Sequence, residues 1–447
     1  MIVLPNTPPT PVQLTDPTSA IPQNVLTLRS ALQRPSLSNY NESIRYVVNL
    51  EQYLDAIIDL SDTTDLRSTF VSTNIPWSNV SKGDIKLKIF KVKSKKAVVD
   101  KWSLGNELSM TLISAALIYN RVASELSNET INLELDLPAK PEDYNENWKQ
   151  IMSLYKKSVS MMLLAGQMGR NLIQSKEDVL FINPTIYSFI LKLTDISMQM
   201  SVLSKFLWIS RYTFNQQENT SAGNSMTLAK VAIYCMNELD MVQRILEELN
   251  ISVKNSIKTD SGVINLDYTD WDTYLQVVRR YVSAYAGFYL AVQSYHDHRY
   301  GNALGLIQFS LLSLQSKKDL PTSSFLNKKV TLKHFRDRVS QRKQENILLN
   351  LNSISTLDIN KSAFNGKSGI VLNDLSYLFD QLIKLNLKIS LENNTLHFDE
   401  IVHWSAINSD AKWPIGSKIP VSHVEAYSPN HTKSKFEQDY SGRGEYY

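Results

Sequence analysis

A chain of 447 residues with 43% hydrophobic residues and a formal net charge of +3 has ample core material and too little charge for a typical nucleic-acid binder. Its single cysteine, Cys235, excludes an intramolecular disulfide framework, and no uncharged apolar run approaches the roughly 20 residues that span a bilayer. The start, MIVLPNTPPTPVQLTDP, is an apolar tetrad broken by proline without a basic flank. It does not read as a signal peptide, and membrane contact is expected to be peripheral.

In chain order, residues 1–23 are rich in Pro, Thr and Ser and read as a segment that lies extended on a surface or stays mobile. Residues 24–66 carry a helical pattern with Leu50, Leu54, Ile57 and Ile58 on one face. Ile85 to Lys93 alternates apolar residues with lysine, the two-residue period of a half-exposed strand. Helices are expected over 103–126, 147–174, 184–214, 225–250, 271–315, 329–351 and 372–391. The Asn, Ser, Asp and Gly-rich stretches 127–146, 215–224, 255–270 and 353–370 read as loops. Cys235 falls inside an apolar helical pattern with Val231, Tyr234 and Leu239, which points to a buried thiol and not a nucleophile.

The stretch 271–315 is the most patterned. Tyr274, Val278, Tyr281, Tyr285, Phe288, Val292 and Tyr295 recur at steps of four and three, so all seven share one helix face. Ala284, Ala286, Gly287 and Ala291 sit beside that stripe, where a second helix can approach closely. A corner follows at Ser294 to Gly301, bearing Tyr300-Gly301, and then an apolar helix from Ala303 to Leu314.

An aromatic, alanine-rich helix, a Tyr-Gly corner and a second helix resemble the most recognisable part of the BRO domain, the helical fold of ALIX and its relatives. Four further segments match in the family's order. Ser103 to Leu126 resembles its early core helix, with Glu107 and Leu112 matching and Ser109 and Ser114 replacing the family's alanine and asparagine. Trp148 to Leu172 resembles the next long helix, Leu228-Ala-Lys-Val-Ala232 the Ala-Lys-Leu-Ala helix, and Glu392 to Ile401 the Asp-Asn-x-x-Ile-Tyr stretch. The family's Ala-Gln-Ala-Gln-Glu run appears as Met198-Gln-Met-Ser-Val202, and the Glu after Tyr-Gly is Asn302, so the resemblance implies a divergent member. The ending, Trp413-Pro-Ile-Gly-Ser-Lys-Ile-Pro420 followed by Tyr427-Ser-Pro429, is similar to the PalC-type subfamily of fungal ambient-pH signalling.

Chemical motifs point away from an enzyme. Asn365-Gly-Lys-Ser368 lacks the glycine that a phosphate loop needs five positions before Gly366, where Lys361 stands. His296-Asp-His298 has no partner cluster of the kind that holds zinc, and no Gly-x-Ser-x-Gly elbow or Gly-x-Gly-x-x-Gly loop exists. Neither a metal nor another cofactor is expected. Two basic clusters stand out: residues 82–101 hold eight lysines, among them Lys86, Lys88, Lys91 and Lys93. Residues 328–343 hold seven Lys and Arg, among them Lys329, Lys333 and Arg336. These are candidates for contact with anionic lipid headgroups.

The resemblance implies a mainly α protein: one boomerang-like, tetratricopeptide-like BRO unit over 24–427, with a small N-terminal sheet and a short tail over 428–447. It further implies a cytoplasmic, non-enzymatic adaptor recruited to endosomal or plasma-membrane sites. The partner is the amphipathic C-terminal helix of an ESCRT-III subunit, held in a shallow apolar groove. In the PalC-type subfamily such binding serves alkaline-pH signalling, alongside other components of that pathway, and leads to proteolytic activation of a zinc-finger transcription factor. The groove falls on residues 196–212 and 226–236, with Leu203, Phe206, Leu228 and Val231 as contacts, which should be accessible in the free protein. The competing readings are an ESCRT adaptor outside the pH pathway, a generic helical scaffold and a helical enzyme.

Overall fold

In the computed structural model the described residues are 1–14, 21–32, 35–37, 39–82, 101–132, 144–172, 180–216, 224–259, 263–268, 270–314, 369–407 and 413–429. Two helices open the chain, α1 (Gln23–Ala31) and α2 (Tyr40–Thr63). The side chain of Asn39 caps α2 by accepting the Glu42 amide at 2.9 Å. Long helices follow: α3 (Leu104–Asn132), α4 (Asn145–Leu172), α5 (Thr185–Gln216), α6 (Ser225–Thr259), α7 (Trp271–His296), α8 (Tyr300–Ser313) and α9 (Gly369–Glu392). From α2 to α8 each helix packs on the next, and α9 returns to lie against α8 and α3. Covered by α2, α4, α5 and α9, α3 is buried almost all round, which is why its apolar residues outnumber one stripe.

Short strands tie the ends of these helices. They are β1 (Phe70–Ser72), β2 (Val80–Lys82), β3 (Trp102–Ser103), β4 (Phe181–Ile182) and β5 (Val263–Leu266). β1 pairs with β3, while β5 lies between antiparallel β2, with Ser81 opposite Asn265, and parallel β4. β5 falls where the sequence reads as loop. Four apolar-polar residues are too few for a period, and their burial comes from partners far away in sequence. The expected lysine-alternating strand at 85–93 and the expected helix at 329–351 lie outside the described residues.

The first residues are not a surface segment. Met1, Ile2, Val3 and Leu4 are all buried, because four apolar side chains gain more from the core than from water. The Met1 amino group is bonded to Ser124 and Tyr155, and the Val3 amide donates to the Tyr274 hydroxyl at 3.0 Å.

One polar cluster locks the N-terminal half. Glu107 of α3 is fully buried and accepts from Arg29 Nε at 2.7 Å, Tyr53 Oη at 2.8 Å, Trp77 Nε1 at 2.8 Å and Trp102 Nε1 at 2.7 Å. Four donors from α1, α2 and the strand region converge on one carboxylate, which satisfies a charge that would otherwise be costly to bury. Arg29 also donates to the carbonyls of Val12 and Pro76, so both members of the pair are saturated.

The tyrosine stripe of α7 is core as the spacing predicts, apart from half-buried Tyr295: Tyr274, Tyr281 and Tyr285 are among the largest fully buried side chains. A Cβ on Gly287 would stand 2.1 Å from Ser310 Oγ, so this glycine sets how closely α7 and α8 approach. The corner between them differs from expectation. His298, not a glycine, adopts the left-handed conformation (φ 58). The Arg299 amide reaches the Ser294 carbonyl at 2.9 Å and the His298 amide that of Tyr295 at 3.1 Å, which is a Schellman closure. Gly301 lies inside α8, where a Cβ would meet the Glu400 carbonyl at 2.0 Å. The glycine serves close packing.

Candidate functional site

The expected partner helices are α5 and α6, which run antiparallel. Tyr234 donates to Asp195 at 2.7 Å, and Lys192 pairs with Glu238. Of the four expected contacts, Leu203, Leu228 and Val231 are buried, Val231 to 1% exposure. The expectation of accessibility fails for all three. α6 is packed between α5 and α7, so its apolar positions at 228, 231, 235 and 239 are covered from both flanks. Phe206 alone is half-buried and packed at the edge of the core.

The residues that do reach the surface here form a neighbouring stripe. On α5, Val202, Lys205, Phe206 and Ile209 recur at helical spacing and are half-buried. On α6, Met226 and Thr227 are exposed, and Lys230 and Tyr234 are half-buried. α4 contributes from the other side. Its Ser158 bonds Thr194 at 3.2 Å, a register that sets half-buried Met152 within one helical turn of Val202. Burial, and then the Lys149 charge, push the Lys205 ammonium below its usual value. Lys205 and Lys149, the latter also paired with Glu146 at 3.4 Å, thus stand beside an apolar strip that Lys230 flanks on α6, an arrangement suited to an amphipathic helix with acidic flanks.

The strip stops at a strap of the chain itself. Residues 413–429 cross α8, α6, α5 and α4 without forming helix or strand. Trp413 packs edge-on against Phe309, and Gly416 lies so close to α6 that a Cβ would stand 2.6 Å from the Tyr234 amide. The Ser417 amide donates to the Lys230 carbonyl at 3.1 Å. Gln199 brackets Ile419, donating to its carbonyl at 3.0 Å and accepting its amide at 2.9 Å. The Tyr427 amide ends the crossing on the Ser160 carbonyl at 3.0 Å. The sequence marked Trp413 to Pro420 as distinctive but gave no hint of where it lies, since its partners on α8, α6 and α5 are some 100 to 220 residues away.

The remaining expected sites separate clearly. Lys86, Lys88, Lys91, Lys93, Lys329, Lys333 and Arg336 lie outside the described residues. Burial, and then the Asp195 charge, push the Cys235 thiol up, so it stays protonated and is a poor nucleophile. At the corner, Asp297 pairs with Arg299 at 2.6 Å, and His298 Nδ1 lies 3.3 Å from the Tyr300 hydroxyl. Among the described residues, no group of three or more His, Cys, Asp or Glu is placed to hold a metal ion.

The family model described as a family of unknown function (DUF5355) matches residues 102–447. The chain belongs to this family. No curated protein matches the sequence of this DUF5355 member. Among solved structures it is similar to one described as "ALIX BRO1 CHMP4C complex", with TM-score 0.50 and 13% identity over 92% of this chain and 86% of that one. A second, "Structure basis for endosomal targeting by the Bro1 domain", aligns with TM-score 0.40 and 14% identity over 81% and 89%. The DUF5355 chain therefore has a Bro1-type fold, a helical boomerang with only small sheets. Among the described residues no helix is long and apolar enough to cross a membrane.

Proposed function

We propose that this DUF5355 protein is a non-enzymatic adaptor that binds the amphipathic C-terminal helix of an ESCRT-III subunit. The observation that carries the reading is the fold shared with an ALIX BRO1 domain that was solved with CHMP4C bound. The docking surface in this reading is the lysine-bordered strip of Val202, Phe206, Ile209 and Met226 beside the strap, in place of the buried Leu203, Leu228 and Val231. Helix-in-groove binding needs apolar side chains that are already presented and a flank of opposite charge, and this strip supplies both.

The pathway reading is narrower. The chain acts in alkaline-pH signalling with other components of that route, recruited peripherally to endosomal or plasma-membrane sites. Support comes from the resemblance of Trp413 to Pro429 to the PalC-type ending. The experiment is a pull-down of full-length protein with an immobilised ESCRT-III C-terminal helix. Retention of wild type and loss with Met226→Asp support the adaptor reading; no retention of wild type overturns it.

A further inference from the structure

Where the start of α4 meets the end of α5, hydrogen-bond donors outnumber acceptors. Lys205 and Trp208 lie three residues apart on α5 and share a helix face. Tyr144 stands one turn ahead of Trp148, where the chain enters α4, and meets Trp208 edge-on with ring centroids 5.1 Å apart. The register of Ser158 against Thr194 sets Trp148 within one turn of Lys205 across the helix pair. Trp148 and Trp208 are 6% and 4% exposed, and neither indole Nε1–H has an acceptor. Buried polar groups are as a rule paired, so two unpaired donors on adjoining helices stand out.

Lys205 adds a charge to this surplus. It is half-buried, and among the described residues no carboxylate pairs with its ammonium. The charge that acts on it is the like charge of Lys149. Glu146 is held by Lys149 at 3.4 Å and is 80% exposed, so water screens it and it offsets little at Lys205. A half-buried ammonium beside another ammonium, with no acid against it, is a cost to the free protein. Lys205 is also the most open of the three donors, with the two indoles deeper. An entering acceptor meets the ammonium first.

We propose that Lys205, Trp148 and Trp208 form a carboxylate subsite that reads one acidic side chain of the segment docked on the strip. The inference rests on the adaptor reading and adds a requirement on the partner. Its Asp or Glu stands within a turn of the apolar residue that covers Phe206, because Phe206 adjoins Lys205 on α5. The carboxylate accepts from the Lys205 ammonium and from the indole N–H groups, which are charge-assisted hydrogen bonds. An apolar segment of the same shape without that acid leaves the donors unpaired, so the subsite discriminates among helices that fit the strip.

The test is a calorimetric titration of the full chain with an ESCRT-III C-terminal helix, and with the same helix carrying Asn and Gln for every Asp and Glu. Wild type is expected to bind the acidic helix at least about tenfold more tightly than the amide helix. Lys205→Met should weaken the acidic helix about tenfold and leave the amide helix unchanged. It should not lower the melting temperature, since the charge it removes has no counter-ion in the free protein. Trp148→Phe and Trp208→Phe keep a ring and remove one donor each; each should cost about threefold on the acidic helix. Lys156→Gln, two turns along α4 from Lys149, should leave both helices unaffected. Equal losses for Lys205→Met and Lys156→Gln mean general charge attraction and overturn the subsite. An early melt for Lys205→Met gives the ammonium a structural role and overturns it too. Binding that Phe206→Asp abolishes and Lys205→Met leaves intact removes the subsite while the adaptor reading stands. No wild-type binding of either helix removes both.

Discussion

Gln199 and Ile419 are joined by two reciprocal hydrogen bonds, one of 3.0 Å and one of 2.9 Å, across 220 residues of sequence. A side-chain amide here replaces a strand partner, so the strap is fixed to α5 at a chosen register. Gln199→Ala removes both bonds and leaves one backbone amide and one carbonyl seeking partners. Its cost should be about 1–3 kcal/mol at the strap, concentrated locally. Hydrogen exchange is the measurement, with the Ile419 amide losing protection while the α7 core keeps its own.

The Glu107 cluster makes a different prediction, because its energy is global. Glu107→Gln keeps the shape but leaves Arg29 charged and buried among neutral partners. Breaking a buried pair from one side costs about 3–5 kcal/mol. The urea midpoint should fall accordingly, and the Arg29→Met, Glu107→Gln pair should cost less than the two single changes summed.

Gly301→Ala tests the corner. The added Cβ meets the Glu400 backbone carbonyl at 2.0 Å, which no rotamer change relieves. Overpacking of this kind costs about 1–3 kcal/mol. Thermal unfolding should register it, and Gly166→Ala, with nothing within 4 Å of its Cβ, should be neutral or slightly stabilising.

Alkaline pH should unfold the protein. Burial pushes the phenols of Tyr53, Tyr155, Tyr274, Tyr285 and Tyr289 above their ordinary value of 10.0. In the unfolded chain they lose protons near that value, whereas the folded chain holds them. The unfolded state then binds fewer protons, so stability is fully present below about pH 10 and falls as pH rises beyond it. Melting temperature against pH, followed with tyrosinate absorbance, checks the sign.

Much of this architecture was legible in local pattern. The α7 stripe from Tyr274 to Val292 announced its own burial, whereas Glu107 stood out only as a match to the family's acidic position, and the donors that converge on it appear only in the fold. Leu203, Leu228 and Val231 were placed by the family resemblance, which carries an apolar position over without saying what covers it in this chain. On α6 both α5 and α7 do. Gln199 survived from the divergent Met198 run as a strap anchor, a role invisible until residue 419 was placed beside it. β5 and the burial of Met1 likewise depend on contacts that span most of the chain.

The adaptor account rests on the strip beside the strap, and a calorimetric titration addresses it directly. An ESCRT-III C-terminal helix should bind full-length protein saturably, with one site and a negative heat-capacity change from apolar burial. Phe206→Asp should weaken that binding at least about tenfold at an unchanged melting temperature, as expected when a central apolar anchor is lost. Equal binding by wild type and Phe206→Asp, or no heat from the wild type, would contradict the account.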